Sequence, residues 1–214
     1  MKLKYVVGSP NCRKVHAVID RLGLSVDFEY LDFFTGDLRS EGYTGLNPNA
    51  MVPTLVDGDF TLWESNAINV YFASRQPTAM YPDDARARAD ITRWLCWELA
   101  HYNRAFGALS FETVAKPMFL KVQPDAVVVE IARRDLQRFL PVLERHLRDR
   151  RYMVGDDVTL ADYAVGHLEG FKSMVPFDWA PYPSVNAFYA RIADDPSWVA
   201  TAPRDPRAVG RRPS

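Results

Sequence analysis

The apolar periodicity changes character near residue 84. Before that point, short stretches of period two alternate with stretches of period 3.6; after it only the helical period remains, and no run reads as a strand. Such a chain has two parts of different character. It calls for an α/β unit followed by an all-helical one.

Residues 3–7 are short and rich in β formers, so they read as a buried strand. Ser9-Pro10-Asn11 breaks it, and Val15, Val18, Ile19 and Leu22 then recur at helical spacing until Gly23 ends the helix. Val26, Phe28 and Tyr30 alternate with Asp27 and Glu29, giving a second strand. A β-α-β unit of this kind carries parallel strands and a right-handed crossover. Residues 34–49, rich in Gly, Asn and Thr, read as loop with one short helix. Residues 54–56 and 60–62 flank Asp57-Gly58-Asp59, a hairpin signal. Ala67, Ile68, Tyr71 and Phe72 mark the next helix.

A polar link over 76–84 leads to one long helical pattern from 85 to about 116, carrying Trp94, Trp97 and Tyr102. A second runs from Pro124 to Arg151, with Leu136, Phe139, Leu140, Leu143 and Leu147 on its apolar side. Pro124 suits a first turn, whereas Pro141 predicts a bend or a break. Two further helices are expected over 159–171 and 183–193. The expected organisation is an α/β domain over 1–76, an all-helical domain over 85–200, and a Pro- and Arg-rich surface tail over 201–214.

With 48% apolar residues among 214, the chain can bury a sizeable core. A net charge of −1 calls for neither nucleic acid nor an anionic membrane as partner. Two cysteines, Cys12 and Cys96, make no disulfide framework and suit a reducing compartment. Met1 leads straight into the first strand with no signal-peptide pattern, and no apolar run reaches the roughly 18–20 residues of a membrane helix. These features make the cytoplasm the expected location.

Several residue groups carry possible chemistry. Ser9 stands where the first strand turns into the first helix, at a helix N-terminus that stabilises anions, a thiolate included. Its hydroxyl either caps the helix or donates to a ligand thiolate. Val52-Pro53 precedes a strand; with a cis bond the Val52 N–H and C=O would face a peptide-like ligand, and with a trans bond they form an ordinary turn. Glu64-Ser65 opens a helix as a plain cap region, or as an anion cradle in which Ser65 takes a carboxylate and Glu64 an ammonium group. Cys12 and His16 share a helix face and are either a nucleophile pair or packing residues. Val158-Thr159-Leu160-Ala161-Asp162 is a capping box, which accounts for Asp162 better than a metal site with Asp156 and Asp157 does. No metal is expected.

Taken together, Ser9-x-x-Cys12-Arg13, Asn47-Pro48-x-x-x-Val52-Pro53-Thr54-Leu55, Glu64-Ser65-x-Ala67-Ile68 and the Thr159–Asp162 box resemble the soluble glutathione transferase family, in its serine-type, bacterial-like form, from residue 3 to about 198. The resemblance implies a thioredoxin-like N-terminal domain that binds glutathione and an all-α C-terminal domain on the electrophile side. It implies that Ser9 stabilises the glutathione thiolate, with Asn11 as a rival, because some bacterial relatives use an Asn there. Val52, before cis-Pro53, would pair with the cysteinyl unit, Met51 would lie beside the glycyl end, and Glu64 and Ser65 would hold the γ-glutamyl head. Many relatives carry a basic residue or His near 50–51; here these are Ala50 and Met51, and Arg39 is the cation of the preceding loop. The implied function is detoxifying conjugation of glutathione, as co-substrate, to a small hydrophobic electrophile by a homodimer. The alternatives are a non-catalytic binding protein on the same fold and a glutathione-dependent disulfide reductase or isomerase.

Overall fold

A computed structural model describes residues 1–203; most of the expected tail lies outside them. The chain divides into two compact units. One holds Met1–Tyr81 together with the described chain from Asp195 onward; the other is Pro82–Asp194.

The first unit is built on a four-stranded mixed sheet in the order β2-β1-β3-β4. β1 (Lys2–Tyr5) pairs parallel with β2 (Asp27–Tyr30), Leu3 facing Phe28, and antiparallel with β3 (Thr54–Asp57), Leu3 facing Leu55. β3 and β4 (Phe60–Trp63) form the hairpin. Asp57 pairs with Phe60, so the two turn residues are Gly58 and Asp59. Gly58 takes φ +63°, a conformation that glycine adopts without a side-chain clash.

Helix α1 (Pro10–Arg21) crosses from β1 to β2 and packs on α3 (Ser65–Ala73). Leu3, Leu55, Val15, Val18, Ile68 and Phe72 are fully buried in this unit. β1 ends at Tyr5, two residues before the expected end; Val6 leaves the ladder and packs with Leu31, Leu38 and Tyr43 around the short helix α2 (Glu41–Thr44). Gly23 lies just past α1 at φ +62°, the left-handed helix ending that glycine permits.

The second unit is helical. α4 (Ala85–Trp97) and α5 (Asn103–Ser110) are joined by a π-helical stretch at Glu98–Tyr102, and a second such stretch follows at Phe111–Leu120. The expected single long helix is thus continuous helical chain whose hydrogen-bonding pattern widens twice. α6 (Ala126–Leu147) runs unbroken through Pro141, so the chain does not break there. Pro141 is on the exposed side, where water can serve the carbonyl it leaves unpaired, while Leu136, Leu140, Leu143 and Leu147 are buried on the other side and hold the helix in place. α7 (Leu160–Gly166) and α8 (Pro183–Ala193) complete the unit.

The last described helix, α9 (Pro196–Ala200), belongs to the first unit and packs on α1. Arg13 donates to the Trp198 carbonyl at 2.8 Å and stacks 4.1 Å above its ring, and Arg21 pairs with Asp195 at 2.9 Å.

Candidate active site

The N-termini of α1 and α3 meet. Ser9 is the N-cap of α1 and accepts the Cys12 N–H at 3.3 Å. That bond uses an oxygen lone pair and leaves the hydroxyl hydrogen available, so capping and donation to a ligand are compatible. Pro10 occupies the first helical position, where its missing N–H removes no helical bond. Asn11 follows, and its Oδ1 accepts from Ser65 Oγ, the first residue of α3, at 3.2 Å. Each helix end carries unpaired N–H groups and a partial positive charge.

Glu64 caps α3 with φ 72° and ψ 111°, and its exposed side chain makes no capping bond. A non-glycine residue held there is strained by about 1–3 kcal/mol, the kind of strain that clusters at ligand sites. The Val52-Pro53 peptide bond is cis. The β3 ladder begins only at Thr54, so Val52 stands ahead of it.

Asn47 and Tyr43 support this turn, and neither was singled out as a site residue in the sequence. Asn47 Nδ2 donates to the Met51 carbonyl at 2.8 Å and to Thr54 Oγ1 at 3.0 Å, and the Tyr43 hydroxyl bonds the same two groups. With its carbonyl so engaged, Met51 presents its side chain, 68% exposed. The Asn-Pro step at 47–48 was the available signal, since a buried Asn beside a tight turn often bonds the backbone.

The Cys12–His16 pair is packing, not a nucleophile. Burial pushes the Cys12 thiol up to about 11, more than the hydrogen bonds from Ser9 and Val6 pull it down. Burial also holds His16 down at about 4, where it packs edge-on against Tyr5 and Phe28 at 4.9 and 4.7 Å. Among the described residues no group of three or more His, Cys, Asp or Glu side chains converges to hold a metal. Asp162 sits in its capping box, accepting from the Thr159 N–H and hydroxyl.

The model of the glutathione S-transferase N-terminal domain matches residues 8–75, and that of the C-terminal domain matches residues 106–196. Glutathione S-transferase 3 of Zea mays is 35% identical over 207 residues, covering 94% of this chain and 92% of that protein. The apo structure of glutathione S-transferase III superposes with a TM-score of 0.82 at 32% identity, over 100% of this chain and 98% of that one. The theta-class enzyme of Xanthomonas axonopodis pv. citri, solved with glutathione bound, gives a TM-score of 0.84 at 26% identity, over 94% and 96% of the chains. The four-stranded mixed sheet with its helices and the helical second unit match the thioredoxin-like and all-α domains of glutathione transferases. This chain belongs to the glutathione transferase family.

Proposed function

We propose that the protein binds glutathione along the edge formed by Ser9, Val52, Glu64 and Ser65 and transfers its thiolate to a small hydrophobic electrophile. The 3.2 Å contact between Ser65 and Asn11 carries this reading, because it brings two positive helix ends together. Glutathione offers one anion for each: the thiolate for the α1 end, beside Ser9, and the γ-glutamyl carboxylate for the α3 end, at the Ser65 N–H. The Glu64 carboxylate faces the ammonium group. The Val52 backbone pairs with the cysteinyl unit beside Pro53, and Met51 lies along the glycyl end.

The magnitudes are sufficient. Lowering a thiol pKa by two units requires about 2.7 kcal/mol. A helix terminus supplies about 0.3–1 kcal/mol, and a hydrogen bond from Ser9 to the thiolate about 1.5–3 kcal/mol. The thiolate sulfur then attacks the electrophilic carbon; the S–C bond forms and the leaving group departs with its electron pair. Ser9 donates a hydrogen bond throughout and is never the attacking atom. Conjugation of an aryl halide by Ser9→Ala tests the assignment: at least a tenfold fall in turnover at neutral pH is expected, and undiminished turnover overturns it.

In this reading the protein is a homodimer, as is usual in the family, which sedimentation equilibrium checks. It resides in the cytoplasm, where the free thiols of Cys12 and Cys96 remain reduced.

A further inference from the structure

The helical unit has an open cavity of about 630 Å3 that shares no residue with the glutathione edge. Its wall comes from α4, the C-terminal part of α6 and the segment 149–156 that leads to the capping box, all within Pro82–Asp194. Val142 is its one aliphatic side chain among the described residues, whereas four arginines and two aspartates line it. Arg93 is held by Asp90 and lies 4.8 Å above the Trp94 ring. The side chains of Arg145, Arg150, Asp149 and Asp156 make no hydrogen bond or ion pair among the described residues. Trp94 is buried in the wall, and its indole N–H finds no acceptor among those residues. The segment is anchored at both ends: His146 Nε2 donates to the Met153 carbonyl at 2.8 Å, the Met153 N–H to Asp162 at 2.8 Å, and Arg191 Nε to the Arg151 carbonyl at 3.1 Å. Burial, aided by the charges of Arg150 and Arg93, lowers the His146 pKa, so the ring stays neutral at pH 7 and the arginines supply the positive charge. An arginine in the last turn of a helix suits the negative helix end, which accounts for Arg145. It does not account for Arg93, Arg150 and Arg151, which reach the same cavity from outside α6.

We propose that this cavity binds a hydroxylated phosphate ester, a sugar phosphate by chemical class, with Arg145 and Arg150 on the phosphate and Asp149 and Asp156 on the hydroxyl groups. Guanidinium forks match the edge of an oxyanion and hold it by paired hydrogen bonds. A carboxylate only accepts, so each aspartate needs a donor, and a sugar hydroxyl is one that carries no charge. A bare anion would satisfy the arginines and be repelled by the aspartates; an apolar guest would desolvate both without pairing either. The volume lies within the range of about 300–1,000 Å3 that small-molecule sites occupy.

Isothermal titration calorimetry of the full chain with glucose 6-phosphate, inorganic phosphate and glucose tests this. Glucose 6-phosphate is expected to bind about tenfold more tightly than inorganic phosphate, and glucose to give no heat. Arg145→Gln and Arg150→Gln are each expected to weaken glucose 6-phosphate about tenfold or more, the effect of one lost charge-assisted hydrogen bond. Asp156→Ala is expected to weaken glucose 6-phosphate about fivefold. The same variant should bind inorganic phosphate as well as the wild type or better, because a repelling charge has gone. All three side chains belong to exposed residues, so the variants should melt as the wild type does, and their glutathione affinity should not change. No heat from glucose 6-phosphate up to about 10 mM overturns the proposal. Wild-type affinity in both arginine variants, the mark of an adventitious ion only, overturns it too. Asp156→Ala that weakens both phosphates alike overturns the assignment of the hydroxyl groups and with it the ligand class.

Discussion

Asn47 Nδ2 donates to the Met51 carbonyl at 2.8 Å, while its Oδ1 accepts the Asn49 N–H at 3.0 Å. One buried side chain thus ties both arms of the turn that leads into Val52. Asn47→Ala leaves the Met51 carbonyl and Thr54 Oγ1 to Tyr43 alone and removes the acceptor of the Asn49 N–H. A loss of about 1–2 kcal/mol in unfolding free energy is expected from the hydrogen bonds removed, read as a lower denaturant midpoint, together with weaker glutathione binding. Asn47→Asp should be worse than alanine, since it sets a carboxylate against the Met51 carbonyl oxygen. A wild-type midpoint in either variant rules out this role.

The two thiols differ in reactivity for a reason visible in their surroundings. Cys96 is exposed, while Cys12 is buried with its pKa pushed up to about 11. At pH 8 only about one Cys12 in a thousand is a thiolate. Alkylation of the native protein at that pH, followed by mass spectrometry, is expected to label Cys96 alone. Both thiols should be labelled in denaturant. Rapid native labelling of Cys12 contradicts the burial argument.

Much of this architecture was legible in the sequence because local periodicity reports local structure. Val15, Val18 and Ile19 mark the buried face of α1, and Pro183 and Ala193 bound α8 where the pattern places them. What escaped depends on contacts between distant residues. Nothing near Arg13 indicates that its guanidinium meets Trp198, 185 positions away, or that the short helix carrying Trp198 packs with the first unit. Pro141 does not break α6, because the four leucines that bury the opposite side of the helix lie beyond what a local rule weighs. At the candidate site, the segments around Ser9, Val52 and Glu64 were recognisable one by one. The Ser65–Asn11 bond, which spans 54 positions and joins two of them, was not.

Gly166, the last residue of α7, permits close packing against α8. A Cβ added there would lie 2.9 Å from Ile192 Cγ1 and 3.1 Å from Cγ2. Gly166→Ala gains about 1 kcal/mol of helix propensity but overpacks a buried contact, at about 1–3 kcal/mol. Ile192 is itself buried, so the clash wins, and a net loss of about 1 kcal/mol is expected in denaturant melts. Adding Ile192→Ala should recover part of that loss by making room for the new methyl. A Gly166→Ala protein more stable than wild type would falsify the close-approach argument.

Asp162 yields a pH prediction with a definite sign. Its carboxylate accepts from the Met153 N–H, the Thr159 N–H and the Thr159 hydroxyl, each at 2.8 Å, yet burial outweighs these bonds and raises its pKa from 3.8 to about 6. A group raised in the folded state favours folding most below its unfolded pKa, and that contribution is lost as pH rises through the folded value. Asp162→Asn removes the titration and turns an amide NH2 toward a donor, so it is expected to be less stable than wild type throughout. The stability gap between the two proteins should narrow as pH rises from about 4 to 6 and stay constant above about 7. Denaturant unfolding of both proteins across that range measures the gap directly. A gap that widens with pH would mean that the three donors outweigh burial and that the capping carboxylate is held below, not above, its ordinary range.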